Sequence, residues 1–543
     1  MRNEALEKMI VGDMLSTRAQ THRNETFLKF HEGDLSYGEV DQMTNRMAQG
    51  LAALGVDRGD HVAVMLPNCP ELLYTIFALS KLGAVAVPVN TALCGNLLRR
   101  TLSGSNSSFL VVDAPYAEEL PALTPCLPGL KQIVVRTRDS ARLPSGHLGK
   151  PAVSLSSLLS YGADAPRADV AFCDLQAIMY TSGTTGPSKG AMVSHALALT
   201  CALDSLDFLD RWGKTTYCPL PLFHAAGLWD GVLSALLSGS PVAIADRFHV
   251  TRFWDDVRHF GAQAALSVFS MIPMLLNQEP SERDKDHPLE VFYMGKSVLD
   301  EPLYDRFGVR SAETYTSTEV GIATGSPYGE WKLGSCGQAH EERFEVSVVD
   351  ELDRPVGPGE PGELVVRPRQ PYIITGGYYG APEATAHSFR NMWFHTGDRV
   401  WRDADGYFYF LDRMKDAIRR RGENISAFDL ECEVNLHPAV LECAAFGVPS
   451  ELEEEDVKLA VVVRPGATLD TAELADFCEK RLPRHMVPRY VEFLDELPRT
   501  PTDKVAKHRL RAEGAHGITS GCWDRYAQRA RRPAAAVPQE GRA

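Results

Sequence analysis

Along the first 170 residues, short unbroken apolar runs alternate with stretches of helical period. Residues 62–66 (VAVML) and 84–89 (AVAVPV) flank the helical stretch 71–81 (ELLYTIFALSK), and 108–113 (SFLVVD) and 131–136 (KQIVVR) continue the series. Apolar runs without polar alternation belong to strands buried on both faces, and strands separated by helices pair in parallel. A polar stretch, 162–174, leads into one more apolar run, 177–179, and a helical pattern reaches 206 with Ser194 placed as its N-cap. The alternation resumes at 241–246, 264–268 and 289–294, which predicts a second wound sheet. From 342 to 410 the texture changes to short strands, 343–349 and 362–367, between Gly/Pro/Asp turns, as in a small antiparallel barrel or sheet. Beyond about 416 comes a compact unit with strands at 444–448, 459–463 and 490–493 and a helix at 471–482. After about 511 the chain is rich in Ala, Arg, Pro and Gly and is expected to be mobile. The fold class is therefore α/β: a large N-terminal domain of two wound sheets plus a small β-barrel-like subdomain, then a smaller α+β C-terminal domain.

Composition narrows the function more than the fold. At 543 residues the chain is too long for one core. A net charge of −15 argues against nucleic acid or an anionic membrane as the main partner, and leaves room for a locally basic loop. Eleven cysteines without a C-x-x-C pair read as reduced thiols. The first residues lack a signal-type apolar core, no run is long enough to span a membrane, and the last three are not a peroxisomal tripeptide. A cytoplasmic monomer or homodimer is expected.

The chemistry concentrates at residues 180–190, YTSGTTGPSKG, directly after a buried strand. Three glycines let the backbone approach an anion, five Ser/Thr hydroxyls add donors, and Lys189 adds a full charge. That set suits a triphosphate, although the spacing is not that of a P-loop. The stretch resembles the signature loop of the adenylate-forming superfamily of acyl-CoA synthetases, peptide-synthetase adenylation domains and luciferases. The usual Gly-x-Pro-Lys-Gly ending is here Gly-Pro-Ser-Lys-Gly.

Further landmarks of that family follow in order, together covering residues 10–512. PLPLFHAAGL (219–228) resembles the segment beside the acyl pocket, with His224 where peptide-type enzymes commonly carry an aspartate, so amino-acid substrates are disfavoured. MGKSV (294–298), with Gly295, stands where the family has Gly-small-small-Pro; Lys296 departs from that pattern. ETYTSTE (313–319) resembles Tyr-Gly-x-Thr-Glu, with Thr316 replacing the glycine that borders the acyl group. WFHTGD (393–398) and FLDRMKDAI (410–418) resemble the ribose and hinge landmarks, RGENIS (421–426) the thiol tunnel, and LPRTPTDKV (497–505) the loop of the catalytic lysine, with Asp503 for glycine.

The resemblance implies roles residue by residue. Thr181, Ser182, Gly183, Thr184, Thr185 and Lys189 hold the phosphates, with Thr184 counted as catalytic. Gly295, Glu313, Thr314, Tyr315 and Thr318 bind the nucleotide, Tyr315 against adenine and Thr318 at the α-phosphate. Asp398 and Arg413 hold the ribose. Glu319 binds Mg2+, as a hard cation taking one carboxylate and phosphate oxygens requires. His224, Gly295 and Thr316 line the acyl site, and Gly422 and Glu423 the CoA channel. Arg419, Arg420 and Arg421 and the acidic run 451–456 read as solvated charge. Lys504 is the catalytic lysine and Lys415 the hinge. The chain would divide as 1–411, an ATP- and acyl-binding domain; 412–416, a hinge; 417–512, a mobile domain; and 513–543, a flexible tail. The implied reaction uses ATP, Mg2+ and coenzyme A to activate an apolar carboxylic acid, whether aryl, fatty or polycyclic, and to transfer it to the CoA thiol. A stand-alone acyl carrier protein as acceptor, and a non-catalytic nucleotide or acyl-AMP sensor, remain alternatives.

Overall fold

The structure, a computed structural model, describes residues 5–137, 148–166, 168–181, 188–268, 271–293, 297–413, 417–452, 454–498, 505–514 and 516–529. The chain forms two compact units that meet in sequence between Lys415 and Asp416.

The larger unit holds two seven-stranded sheets. The first runs in the order Ala152–Ser154, Gln132–Arg136, Phe109–Asp113, His61–Met65, Val85–Pro88, Leu175–Thr181, Lys189–Ser194. Every pair is parallel except the last, a hairpin in which Thr181 faces Lys189. Lys189 is therefore the first residue of a strand at the sheet's edge, and residues 182–187 of the phosphate-type loop lie outside the described residues. Gly190 is required there, because a Cβ on it would sit 2.5 Å from the Ile178 side chain.

The second sheet runs Arg310–Ala312, Val291–Tyr293, Ala264–Leu266, Thr216–Cys218, Val242–Ile244, Thr26–Phe30, Gly33–Ser36. Its last two strands come from the N-terminus, with Leu28 beside Val242. The helices Pro70–Leu82 and His195–Phe208 are apolar nearly all round, and residues 195–206 are all buried. A helix of that kind must have structure on every side, and one continuous core joins Val62 and Val64 of the first sheet to Ala243 and Phe292 of the second.

After the second sheet come two antiparallel sheets: Tyr315–Ser317, Gly321–Gly325, Gln338–Ala339, and a five-stranded one built on Phe344–Val349, Gly362–Pro368 and Trp393–Arg402. They share a core in which Tyr315 and Val320 meet Phe344, Leu364 and Phe394.

The smaller unit is α+β. Its sheet runs Val440–Pro449, Glu455–Val463, Tyr490–Phe493, Trp523–Asp524, beside the hairpin Ala417–Arg420/Glu423–Ser426. Two sequence expectations are corrected here. Residues 516–529 do not trail away: Trp523 pairs opposite Val491, the buried Lys458 ammonium pairs with Glu492 and donates to the Gly517 carbonyl at 2.6 Å, and Arg489 reaches Asp524 at 3.4 Å. The composition of the tail hides its anchors, Ile518, Trp523 and Tyr526; residues 530–543 lie outside the described residues. The acidic run is not merely wet either. Glu454 and Asp456 are buried, Asp456 pairs with Arg420 and Arg489 at 2.8 Å each, and Arg420 is itself buried. Burying these charges is tolerable because Asp456 pairs with Arg420 and Arg489 and Glu454 accepts the Gly422 N–H.

Candidate active site

The described part of the site centres on Glu319, just past the strand Tyr315–Ser317. Its Oε1 accepts hydrogen bonds from the Thr181 hydroxyl and the Tyr378 hydroxyl, both at 3.1 Å. Among the described residues none bonds Oε2, so the carboxylate is oriented on one oxygen and open on the other. The Lys189 ammonium lies over the Tyr378 ring, 5.4 Å from its centroid, a cation–π arrangement that holds the charge near that carboxylate.

Tyr378 reaches this position through a strap that pairs with the signature strand. Met192 N–H donates to Gly377 O at 2.9 Å, Tyr379 N–H to Gly190 O at 2.8 Å, and Thr375 N–H to Glu319 O at 2.6 Å. The Thr375 hydroxyl closes the strap onto Met192 O at 3.0 Å. Gly377 has φ 107, and a Cβ there would meet Thr385 Cγ2 at 2.4 Å, so only glycine fits the bend.

Three further carboxylates, Asp398, Glu363 and Glu313, are placed by specific donors. The buried Tyr315 hydroxyl donates to Asp398 Oδ2 at 2.6 Å. Asp398 follows Gly397, whose N–H donates to Glu363 at 2.9 Å, and lies opposite Arg413 in the strand pairing. Glu363 also pairs with the buried His395 at 2.9 Å. Burial alone would raise the Glu363 carboxyl, but His395, the Gly397 N–H and Arg390 hold it below the usual range. Glu313 Oε2 accepts from Ser297 N–H at 2.8 Å and from the Ser297 hydroxyl at 2.9 Å.

Thr316 stands above a buried polar cluster. Burial pushes the neighbouring Cys201 thiol well above its ordinary range. The Cys201 Sγ is 3.9 Å from Asp230 Oδ1, and the fully buried Arg211 donates twice to the Asp230 carbonyl, at 3.1 Å each. Burial pushes the Asp230 carboxyl up to about 7, with Arg211 opposing. His224 is half-buried at the entrance to the π-helix Ala226–Leu233, its ring against Phe223.

The structure thus brings Thr181, Lys189 and Glu319 together and joins Tyr315 to Asp398. Thr314 is buried beside them and Thr318 half-buried. Gly422 and Glu423 sit in the smaller unit's hairpin, where the Gly422 N–H donates to Glu454 at 3.2 Å. Ser182, Gly183, Thr184, Thr185, Gly295, Lys415 and Lys504 lie outside the described residues. Sequence reading missed Tyr378, Thr375 and Ser297; the glycine pair before Tyr378-Tyr379 was the one available signal.

The grouping sets an oriented carboxylate, a lysine and hydroxyls at the ends of the strands Leu175–Thr181 and Lys189–Ser194. A family model described as AMP-binding enzyme matches residues 15–379, and one described as AMP-binding enzyme C-terminal domain matches 429–504. The chain belongs to the AMP-binding enzyme family and is an enzyme of the adenylate-forming class. It is 30% identical over 494 residues to a crotonobetaine/carnitine–CoA ligase of Salmonella typhi, covering 88% of this chain and 93% of the relative. The corresponding ligase of Salmonella arizonae is 31% identical with the same coverage. Among solved structures, the Mycobacterium tuberculosis fatty acyl CoA synthetase is 28% identical with a TM-score of 0.66, over 94% of this chain and 100% of that one. Bacillus subtilis o-succinylbenzoate CoA synthetase, at 24% identity, shares the fold with a TM-score of 0.79, over 92% and 98% of the two chains. Among the described residues, no helix is long and apolar enough to cross a membrane.

Proposed function

We propose that the protein activates a carboxylic acid of apolar body with ATP, and passes the acyl group to the thiol of coenzyme A. The observation that carries this is the grouping of Glu319, Thr181, Tyr378 and Lys189 at one hairpin turn. In the first half-reaction a substrate carboxylate oxygen attacks the α-phosphorus of ATP. The bond from that phosphorus to the bridging oxygen breaks, giving acyl-adenylate and pyrophosphate. Two anions must meet, so fixed positive charge has to be waiting for them. Lys189 supplies one such charge, and Lys504, by family position, a second that bridges carboxylate and α-phosphate.

The residues present fit Mg2+. Among the described residues there is no cluster of three or more His, Cys, Asp or Glu side chains that would make a closed metal cage, and Mg2+ is ordinarily held by one or two carboxylates with phosphate oxygens and water. Glu319 would hold it through Oε2; bound there, the ion would draw negative charge from the phosphates. Asp398 and Arg413 would take the ribose and Tyr315 the adenine. Thr316 and His224 would border the acyl group, with Thr316 replacing glycine at its edge. In the second half-reaction the CoA thiol attacks the acyl carbon and AMP leaves; Gly422 and Glu423 would line its approach, with Lys415 the hinge between the two steps.

Pyrophosphate exchange against a panel of aryl, fatty and polycyclic acids tests the first step, and thioester formation with CoA against a carrier protein tests the acceptor. Lys504→Ala should lower exchange by about 10²–10³, the scale of losing one preorganised electrostatic contact, yet still convert supplied acyl-adenylate and CoA to thioester. Absence of exchange with every acid would overturn the reading.

A further inference from the structure

The hairpin Ala417–Arg420/Glu423–Ser426 turns through two residues, Arg421 and Gly422, both left-handed with φ 56 and 78, while Arg420 faces Glu423. A two-residue turn of this hand suits Asn-Gly. An arginine at its first position is strained and persists only where its surroundings hold it.

The surroundings hold it from two sides. On one, Glu454 accepts the Gly422 N–H at 3.2 Å, Glu455 accepts the Arg419 N–H at 2.9 Å, and Asp456 pairs with Arg420 at 2.8 Å. On the other stands Tyr526. Its hydroxyl oxygen accepts from Arg420 Nη2 and from Arg421 Nη2, each at 3.1 Å. Neighbouring side chains on a strand point to opposite faces, and these two converge on one oxygen because the turn begins between them. The Tyr526 ring carries the Arg489 guanidinium 4.9 Å from its centroid, and Arg489 pairs in turn with Asp456 at 2.8 Å. Tyr526 is itself fixed: its N–H donates to Asp524 at 2.8 Å, Arg525 N–H donates to Arg489 O at 3.0 Å, and Arg525 pairs with Glu479.

Tyr526 lies 22 residues beyond the end of the C-terminal family match at 504. We infer that it is a positioning residue for thioester formation: it cross-links Arg420 and Arg421 and so fixes the turn that presents Gly422 and Glu423 to the incoming thiol. The inference rests on the reading above that this turn borders the CoA path. It assigns a working role to a segment whose composition reads as tail.

Tyr526→Phe removes the acceptor oxygen and keeps the ring on Arg489, so the unit should fold. With the acid that the parent activates best, pyrophosphate exchange should stay at the parental rate. Thioester formation from supplied acyl-adenylate should lose about three- to tenfold in kcat/KM for CoA, the scale of losing half-exposed hydrogen bonds to charged groups. Amide hydrogen exchange should quicken at 417–426 and stay unchanged at 455–463. An unchanged CoA step, or equal loss of both half-reactions in a folded variant, overturns the inference. If the parent makes adenylate but no CoA thioester, the acceptor reading is what fails. The tether is then judged by amide exchange alone, and unchanged protection at 417–426 overturns it.

Discussion

The Tyr378 hydroxyl donates to Glu319 Oε1 at 3.1 Å while its ring carries the Lys189 ammonium 5.4 Å from the centroid. One side chain thus sets both the carboxylate proposed for the metal and the lysine proposed for the phosphates. Tyr378→Phe should keep the ring beneath Lys189 and release the carboxylate. Hydrogen bonds to charged groups are worth about 1.5–3 kcal/mol when buried, and this one is half-exposed. The Mg2+ concentration for half-maximal pyrophosphate exchange should therefore rise about three- to tenfold, with the rate at saturating Mg2+ nearly kept. An unchanged Mg2+ titration would show that Thr181 alone orients Glu319.

Thr316 should govern the acid rather than the nucleotide. It stands beside Cys201, and the Cys201–Asp230–Arg211 cluster below is too deeply buried to yield. Thr316→Gly should open room at the acyl edge and shift kcat/KM among acids in favour of broader ones by about 10–200-fold, the worth of one small group in a pocket. ATP's KM should move little. A raised ATP KM with the same ranking of acids would sink this assignment.

What could be read along the chain was what is local in it. The run 62–66 announces a strand because burial on both faces leaves no polar position, and the helix Pro70–Leu82 shows in the same way. The strands Thr216–Cys218 and Arg310–Ala312 escaped because, unlike the equally short Val242–Ile244 and Val291–Tyr293, they carry no apolar run. That Thr26–Phe30 joins the second sheet depends on Leu28 meeting Val242, a pairing no window along the chain can contain. The same limit applies at the site. Tyr378 binds a carboxylate 59 residues earlier, and only the hairpin's pairing with the strap brings them together. Average composition misled twice, over Arg420 with Asp456 and over residues 516–529. In both, a few specific partners outweigh what the surrounding residues suggest.

His195, the first residue of the helix after the signature strand, is buried, and its Nδ1 accepts the Val11 N–H at 3.3 Å. That bond requires neutral imidazole with its proton on Nε2, a nitrogen buried without a hydrogen-bond partner among the described residues. Burial lowers the pKa from 6.5 to about 4, against a small opposing pull from Asp174. The sign follows from which state binds the proton first. On acidification the unfolded chain protonates near 6.5, while the folded chain resists until about 4. The stability tied to His195 is complete above 6.5, drains as pH falls toward 4, and is gone below that. A difference of 2.5 units (6.5 − 4) corresponds to about 3 kcal/mol. His195→Asn offers Val11 an oxygen acceptor without a titrating group. It should lower stability at neutral pH by leaving space, and flatten the dependence between pH 6.5 and 4. Urea unfolding of parent and variant at half-unit steps over that range checks this. Parallel curves would mean that other groups drive the acid loss and that His195 is only a packing residue.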